Sequence, residues 1–198
     1  LSSTLEEIYP LKAFGIRAQT MEQFIIESDR AALEQLKKEI ERGTGEAVLR
    51  SKVELLAPIP TARQSVICMQ DNYYRDYQEK AQAIKHGTVP KWPTYYYKKA
   101  TLANRPGGEI PSYPGYAGDL DSEPGVAMIT AADIRAIPEQ ETGKYIFGYM
   151  ILNNIISREL TQKFRRPVVS TSLDGFLPMG PWITTADEFE ENPIFDIE

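Results

Sequence analysis

A helical period near the start of the chain gives way, past Gly43, to short strand-like runs kept apart by glycine and proline, and this division decides the fold class. Between Ser28 and Arg42 the residues Ala32, Leu33, Leu36 and Ile40 recur at helical spacing, with Ser28 as the expected cap and Gly43 as the stop. Glu34 and Lys38 form an i,i+4 pair on its outer face, a solubility feature. Thr20 with Gln23 predicts a shorter capped turn upstream. Val53 to Pro60 reads as an extended segment broken by prolines, and Ser65 to Met69 as a buried strand with Cys68 in the core. Further strands are expected at Val126 to Ile129 and at Tyr145 to Leu152, the second ending at Asn153-Asn154, with the first turn of a helix at Pro138. Tyr95, Tyr96 and Tyr97 read as strand packing on alternating faces. The sum is a mixed, strand-rich α/β protein: a helical lead-in over residues 1–58 and one domain over 59–198.

Composition narrows the function classes. The 198 residues carry a net charge of −6, which argues against a sequence-independent nucleic-acid binder, since that task needs a basic surface. The single cysteine excludes a disulfide framework or a cysteine zinc site and fits a reducing compartment. The apolar runs are too short for a membrane span and the N-terminus lacks signal-peptide character, so a cytoplasmic protein with small-molecule or protein partners is expected.

Five segments in order resemble the fumarylacetoacetate hydrolase superfamily. Asn72-Tyr73-Tyr74-Arg75-Asp76-Tyr77-Gln78-Glu79, which follows Leu55 to Pro60 and Ile67-Cys68, is similar to N-Y-x-x-H-x-x-E. Pro93 to Lys98 is similar to P-x-x-F-x-K, and Leu120 to Ala127 to D-Y-E-x-E-L-A. Phe147-Gly148-Tyr149 through Asn153-Asn154-Ile155-Ile156-Ser157-Arg158 resembles F-G-Y followed by N-D-x-S-x-R. Thr171 to Trp182 resembles K-S-x-D-x-F-x-P-x-G-P-W. Each motif alone is weak; their shared order over roughly residues 52 to 188 is not.

The resemblance implies a β-roll whose C-terminal strands lie beyond the equivalent of Glu198, and a homodimer that buries strand edges. It also implies chemistry on an enolisable 2-oxo acid or 1,3-dicarbonyl chelated to Mg²⁺ or Mn²⁺ held by three carboxylates. Residue by residue the carry-over is incomplete. The family's general-base His corresponds to Asp76, while its partner remains as Glu79; the three metal carboxylates correspond to Glu123, Gly125 and Asn154; the Lys of K-S-x-D corresponds to Thr171. Catalytic candidates are therefore Asp76, Glu79, Thr171 and, from a stretch that can cover the pocket, His86. Substrate-binding candidates are Tyr73, Lys98, Arg158 and Asp174, and the residual metal positions are Glu123 and Asn154. Each has an ordinary alternative: a solvated carboxylate for Glu123, an exposed acidic face for Asp76 and Glu79, a surface loop for His86.

With one metal carboxylate of three retained, a divalent ion is expected to bind weakly, because Mg²⁺ sheds water reluctantly. The expected function is acid–base chemistry of the isomerase, tautomerase, cyclase or decarboxylase type. Two alternatives stand beside it: a silent homologue that binds a metabolite or a partner subunit, and a metal-dependent hydrolase in which Asp121 or Asp174 substitutes for the lost ligands.

Overall fold

The computed structural model describes residues 6–70, 92–99, 102–190 and 193–195. Two helices, α1 (Met21–Glu27) and α2 (Arg30–Glu41), follow the short strand β1 (Glu7–Ile8), which pairs antiparallel with β2 (Val48–Leu49). The Thr20 side chain caps α1 by accepting from the Gln23 N–H at 3.0 Å, as Thr20 and Gln23 predict. At α2 the cap is Asp29, whose Oδ1 accepts from the Ala32 N–H at 2.7 Å, and not Ser28; the carboxylate adds charge complementarity to the helix N-terminus. Gly43 ends the segment at φ 72, a conformation that favours glycine.

The strand-rich part begins with β3 (Val66–Gln70), paired antiparallel with β4 (Thr94–Lys98), and continues with β5 (Leu120–Thr130), β6 (Ile146–Ser157) and β7 (Met179–Thr185), in which β6 is central. The mixed α/β expectation holds. Among the described residues the strands form three small sheets, not one continuous roll. Four readings of the sequence need correction. β3 is not buried: Ile67 and Met69 are exposed and Cys68 is half-buried, because the hairpin has a single layer of cover. β5 is much longer than Val126–Ile129. β6 does not stop at Asn153-Asn154 but carries both into its interior, and the expected helix after Pro138 is a 3-10 turn, Glu139–Tyr145.

Two short helices, α3 (Arg158–Phe164) and α4 (Pro167–Thr171), join β6 to β7. Ser157 caps α3 by accepting from the Leu160 N–H at 3.1 Å while its hydroxyl also reaches the Ala117 carbonyl. The lead-in packs on the sheet through one cluster: Phe24, Ile25, Leu36 and Ile40 meet Phe147, with Phe24 and Phe147 edge to face at 6.3 Å. A second cluster (Ala57, Ala103, Met150, Leu177, Met179) and a third (Ala117, Ile155, Leu160, Phe176) line the rest of β6. No helix among the described residues is long and apolar enough to cross a membrane.

Gly148 explains the F-G-Y motif. A Cβ built there would lie 2.2 Å from the Thr184 carbonyl oxygen and 2.9 Å from Ile183 Cγ2, so only glycine lets β7 approach β6 at this point. Gly148→Ala is expected to lower the unfolding free energy by about 1–3 kcal/mol in urea denaturation, the usual cost of overpacking; an unchanged midpoint and slope would refute this close contact.

Candidate functional site

The site is built where β4, β5, β6 and the Phe176 turn meet. Strand alternation sends Tyr95 and Tyr97 to the outer face of β4, where their rings stack edge to face at 5.8 Å, and sends Tyr96 and Lys98 inward. Antiparallel register sets Glu123 of β5 directly opposite Asn154 of β6, and Cys68 of β3 opposite Tyr96 of β4.

Lys98 is completely buried. Its Nζ donates to Asn154 Oδ1 at 2.7 Å, to the Phe176 carbonyl at 2.6 Å and to the Ile155 carbonyl at 3.3 Å. All three acceptors are uncharged. Burial therefore dominates and holds the ammonium well below its ordinary range, at about 8, with the Cys68 and Glu123 side chains opposing the shift. The Asn154 amide faces two ways: its Nδ2 donates to Glu123 Oε2 at 2.9 Å and to the Tyr96 hydroxyl at 2.9 Å. The Tyr96 side chain in turn interacts with the Cys68 thiol, its cross-strand neighbour. Burial, ahead of the Cys68 contact, raises the Tyr96 phenol, and burial raises the Cys68 thiol, so both stay protonated and neutral around neutral pH. Glu123 itself is on the exposed side of the cluster.

The structure brings together Lys98, Glu123 and Asn154 from the sequence candidates and adds Tyr96 and Cys68. The alternation of β4 carried the signal for Tyr96, which faces the same way as Lys98; Cys68 had none beyond its place across from Tyr96. Thr171 is buried in α4, where its hydroxyl donates to the Pro167 carbonyl at 2.8 Å. Arg158, at the start of α3, is exposed and ion-paired with Asp121. Asp174 is exposed in the turn before β7, its backbone carbonyl accepting from the Tyr113 hydroxyl at 3.0 Å. Tyr73, Asp76, Glu79 and His86 lie outside the described residues.

The donor set among the described residues does not fit a divalent ion. Hard cations need several anionic or carbonyl oxygens. Here Asn154 Oδ1 is taken by an ammonium, Glu123 Oε2 is taken by the Asn154 amide, Gly125 has no side chain, and Asp121 is paired with Arg158. Among the described residues no three His, Cys, Asp or Glu side chains are grouped to hold a metal.

The buried ammonium has a thermodynamic signature. Its folded-state value of about 8 lies below the ordinary 10.5, so between those limits the unfolded chain binds more protons and stability rises with pH. Relative to Lys98→Met, the wild-type unfolding free energy is expected to gain up to about 3 kcal/mol from pH 8 to 10.5. Parallel pH profiles for the two proteins in chemical denaturation would contradict this account of Lys98.

Comparison with known proteins bears on the family and the fold. Residues 65–197 match the family described as fumarylacetoacetate (FAA) hydrolase, C-terminal. The oxaloacetate tautomerase YisK of Bacillus subtilis is 28% identical over 151 residues, which is 75% of this chain and 48% of that protein; the chain thus spans about half the length of this curated relative. Among solved structures, a fumarylacetoacetate hydrolase from Exiguobacterium antarcticum superposes with a TM-score of 0.69 at 22% identity, over 93% of this chain and 61% of the other. The 5-carboxymethyl-2-hydroxymuconate delta-isomerase of Mycobacterium smegmatis superposes with a TM-score of 0.56 at 27% identity, over 72% and 53%. With two thirds of its length matched in motif order and in fold, the chain belongs to the fumarylacetoacetate hydrolase family.

Proposed function

We propose that this protein moves a proton on an enolisable 2-oxo acid or 1,3-dicarbonyl by carboxylate acid–base chemistry, with weak metal binding or none. The observation that carries the reading is the Asn154 amide between Glu123 and Lys98, which leaves the family's site with one carboxylate and a charge-balanced core. Isomerisation needs only that a proton be removed at one atom and returned at another. Hydrolysis also needs an activated water and a sink for the enolate charge, which the family draws from the ion. The relative named as an oxaloacetate tautomerase and the isomerase structure support the same class.

In this reading the enol O–H proton of the substrate passes to a carboxylate and a proton is delivered to the adjacent carbon, so that no co-reactant is consumed. Glu123, exposed beside the cluster, is one carboxylate we assign to the task. Asp76 and Glu79 are the other pair: three residues apart, they can share one proton, since mutual repulsion keeps one of them protonated. Lys98 lends positive potential through the Asn154 amide and the Tyr96 dipole, without touching the substrate. Tyr73, Arg158 and Asp174 remain candidates for holding the oxo acid, and Thr171 and His86 remain catalytic candidates. A cytoplasmic homodimer completes the proposal. The exposed cross-strand pairs Ile67–Tyr97 and Met69–Tyr95 form an apolar face on the β3–β4 hairpin that favours self-association.

Oxaloacetate enol–keto exchange, followed by ultraviolet absorbance or by deuterium incorporation at carbon 3, is expected to persist in excess chelator, while acylpyruvate cleavage is slow or absent. Glu123→Gln, Asp76→Asn and Glu79→Gln should each reduce exchange by about 100-fold or more, the lower range for a positioned acid or base. Exchange equal to the uncatalysed rate would favour the silent homologue instead, and chelator-sensitive cleavage would favour the metal-dependent hydrolase. Light scattering should give at least twice the monomer mass; a monomer at high micromolar concentration would remove the dimer from the reading.

A further inference from the structure

We propose that the Asn154 side-chain amide does in this protein the work of a divalent cation: oriented by Lys98, it is the positive pole that holds the Glu123 carboxylate against position 154. This deepens the reading of Glu123 and Asn154 as the site and rests on it.

The orientation of the amide follows from its neighbours. A lysine ammonium has three donors and no acceptor, so at 2.7 Å only the Asn154 oxygen can face Lys98. The nitrogen must then face the other way, and both of its hydrogens meet acceptors: Glu123 Oε2 at 2.9 Å and the Tyr96 hydroxyl at 2.9 Å. The phenol oxygen, with lone pairs to offer, accepts there. Nothing in this chain of bonds can flip without breaking two of them at a buried position.

An aspartate at the same place would keep one oxygen on Lys98 and turn the other onto Glu123 Oε2. Two carboxylate oxygens at hydrogen-bond distance repel, and the arrangement is stable only with a proton or a cation between them. The amide differs from the carboxylate at a single atom, yet that atom turns a cation-requiring contact into a self-satisfied one. Charge agrees: Glu123 already has a neighbouring cation in Lys98.

The test uses melting temperature, with no turnover measured, so absence of tautomerase activity leaves it interpretable. Wild-type protein in millimolar Mn²⁺ is expected to melt within about 1 °C of its value in chelator, whereas Asn154→Asp should gain about 3 °C or more from the same Mn²⁺. Adding Gly125→Glu should enlarge that gain, and Glu123→Gln in the Asn154→Asp background should abolish it. A wild-type shift as large as the Asn154→Asp shift overturns the proposal; so does an Asn154→Asp protein that ignores Mn²⁺, or a response that survives Glu123→Gln. Should Asn154→Asp fail to fold, ¹H–¹⁵N spectra of wild-type protein decide the matter. The Asn154 side-chain NH₂ pair is expected to move on Glu123→Gln and to stay sharp with equimolar Mn²⁺; its selective paramagnetic broadening, or no change on Glu123→Gln, overturns the proposal.

Discussion

A buried ammonium must be given acceptors, and the way Lys98 is given them ties the strand-rich half of the molecule together. Lys98 belongs to the β3–β4 hairpin, but its three partners belong to β6 and to the turn before β7. The hairpin and the three-stranded sheet share no backbone ladder among the described residues, so this side chain is a principal polar link between them. The Asn154 Nδ2 bond to the Tyr96 hydroxyl at 2.9 Å and the Lys99 N–H, which donates to Ser172 Oγ at 3.0 Å, add two more. Breaking such a bond leaves an orphaned buried acceptor, a greater loss than the bond's net contribution to stability.

The same residue explains why the site tolerates what the sequence lacks. Position 154 in the family pattern is an aspartate, whose charge would answer Lys98 directly. With asparagine there, the countercharge lies one residue farther out, at Glu123, and the amide dipole bridges the gap. Burial, which the more distant Glu123 offsets only in part, is visible as the depressed basicity of Lys98.

Much of this was legible in the chain and some was not, for identifiable reasons. Motif order disclosed the family, and strand alternation in Thr94–Lys98 placed Lys98 and Tyr96 on one face. Local rules failed where tertiary partners overrode them. Asn153 and Asn154 read as a strand end because asparagine seldom suits strand interiors, but β6 keeps them: Ser122 Oγ donates to Asn153 Oδ1 at 2.8 Å, and Asn154 has Lys98, Glu123 and Tyr96. The apolar run around Cys68 looked buried, yet cover on one face only leaves Ile67 and Met69 outside. Ser28 and Asp29 are both good caps, and no local signal ranks them; the backbone entering α2 selects Asp29. Thr171 was taken from its place in a motif, which says nothing about the direction of its hydroxyl.

The backbone beside Asn154 also bears on how the protein ages. Asparagine deamidates when the next residue's backbone nitrogen attacks the side-chain carbonyl carbon, and the product is the aspartate that would reverse the electrostatics described above. Here that nitrogen, on Ile155, already donates to the Phe176 carbonyl at 3.2 Å, the same oxygen that accepts from Lys98. The strand is paired on both sides, and the side-chain carbonyl is pinned by the ammonium. The attacking nitrogen is thus engaged in a hydrogen bond and the attacked carbonyl in another, an arrangement that works against deamidation of this amide.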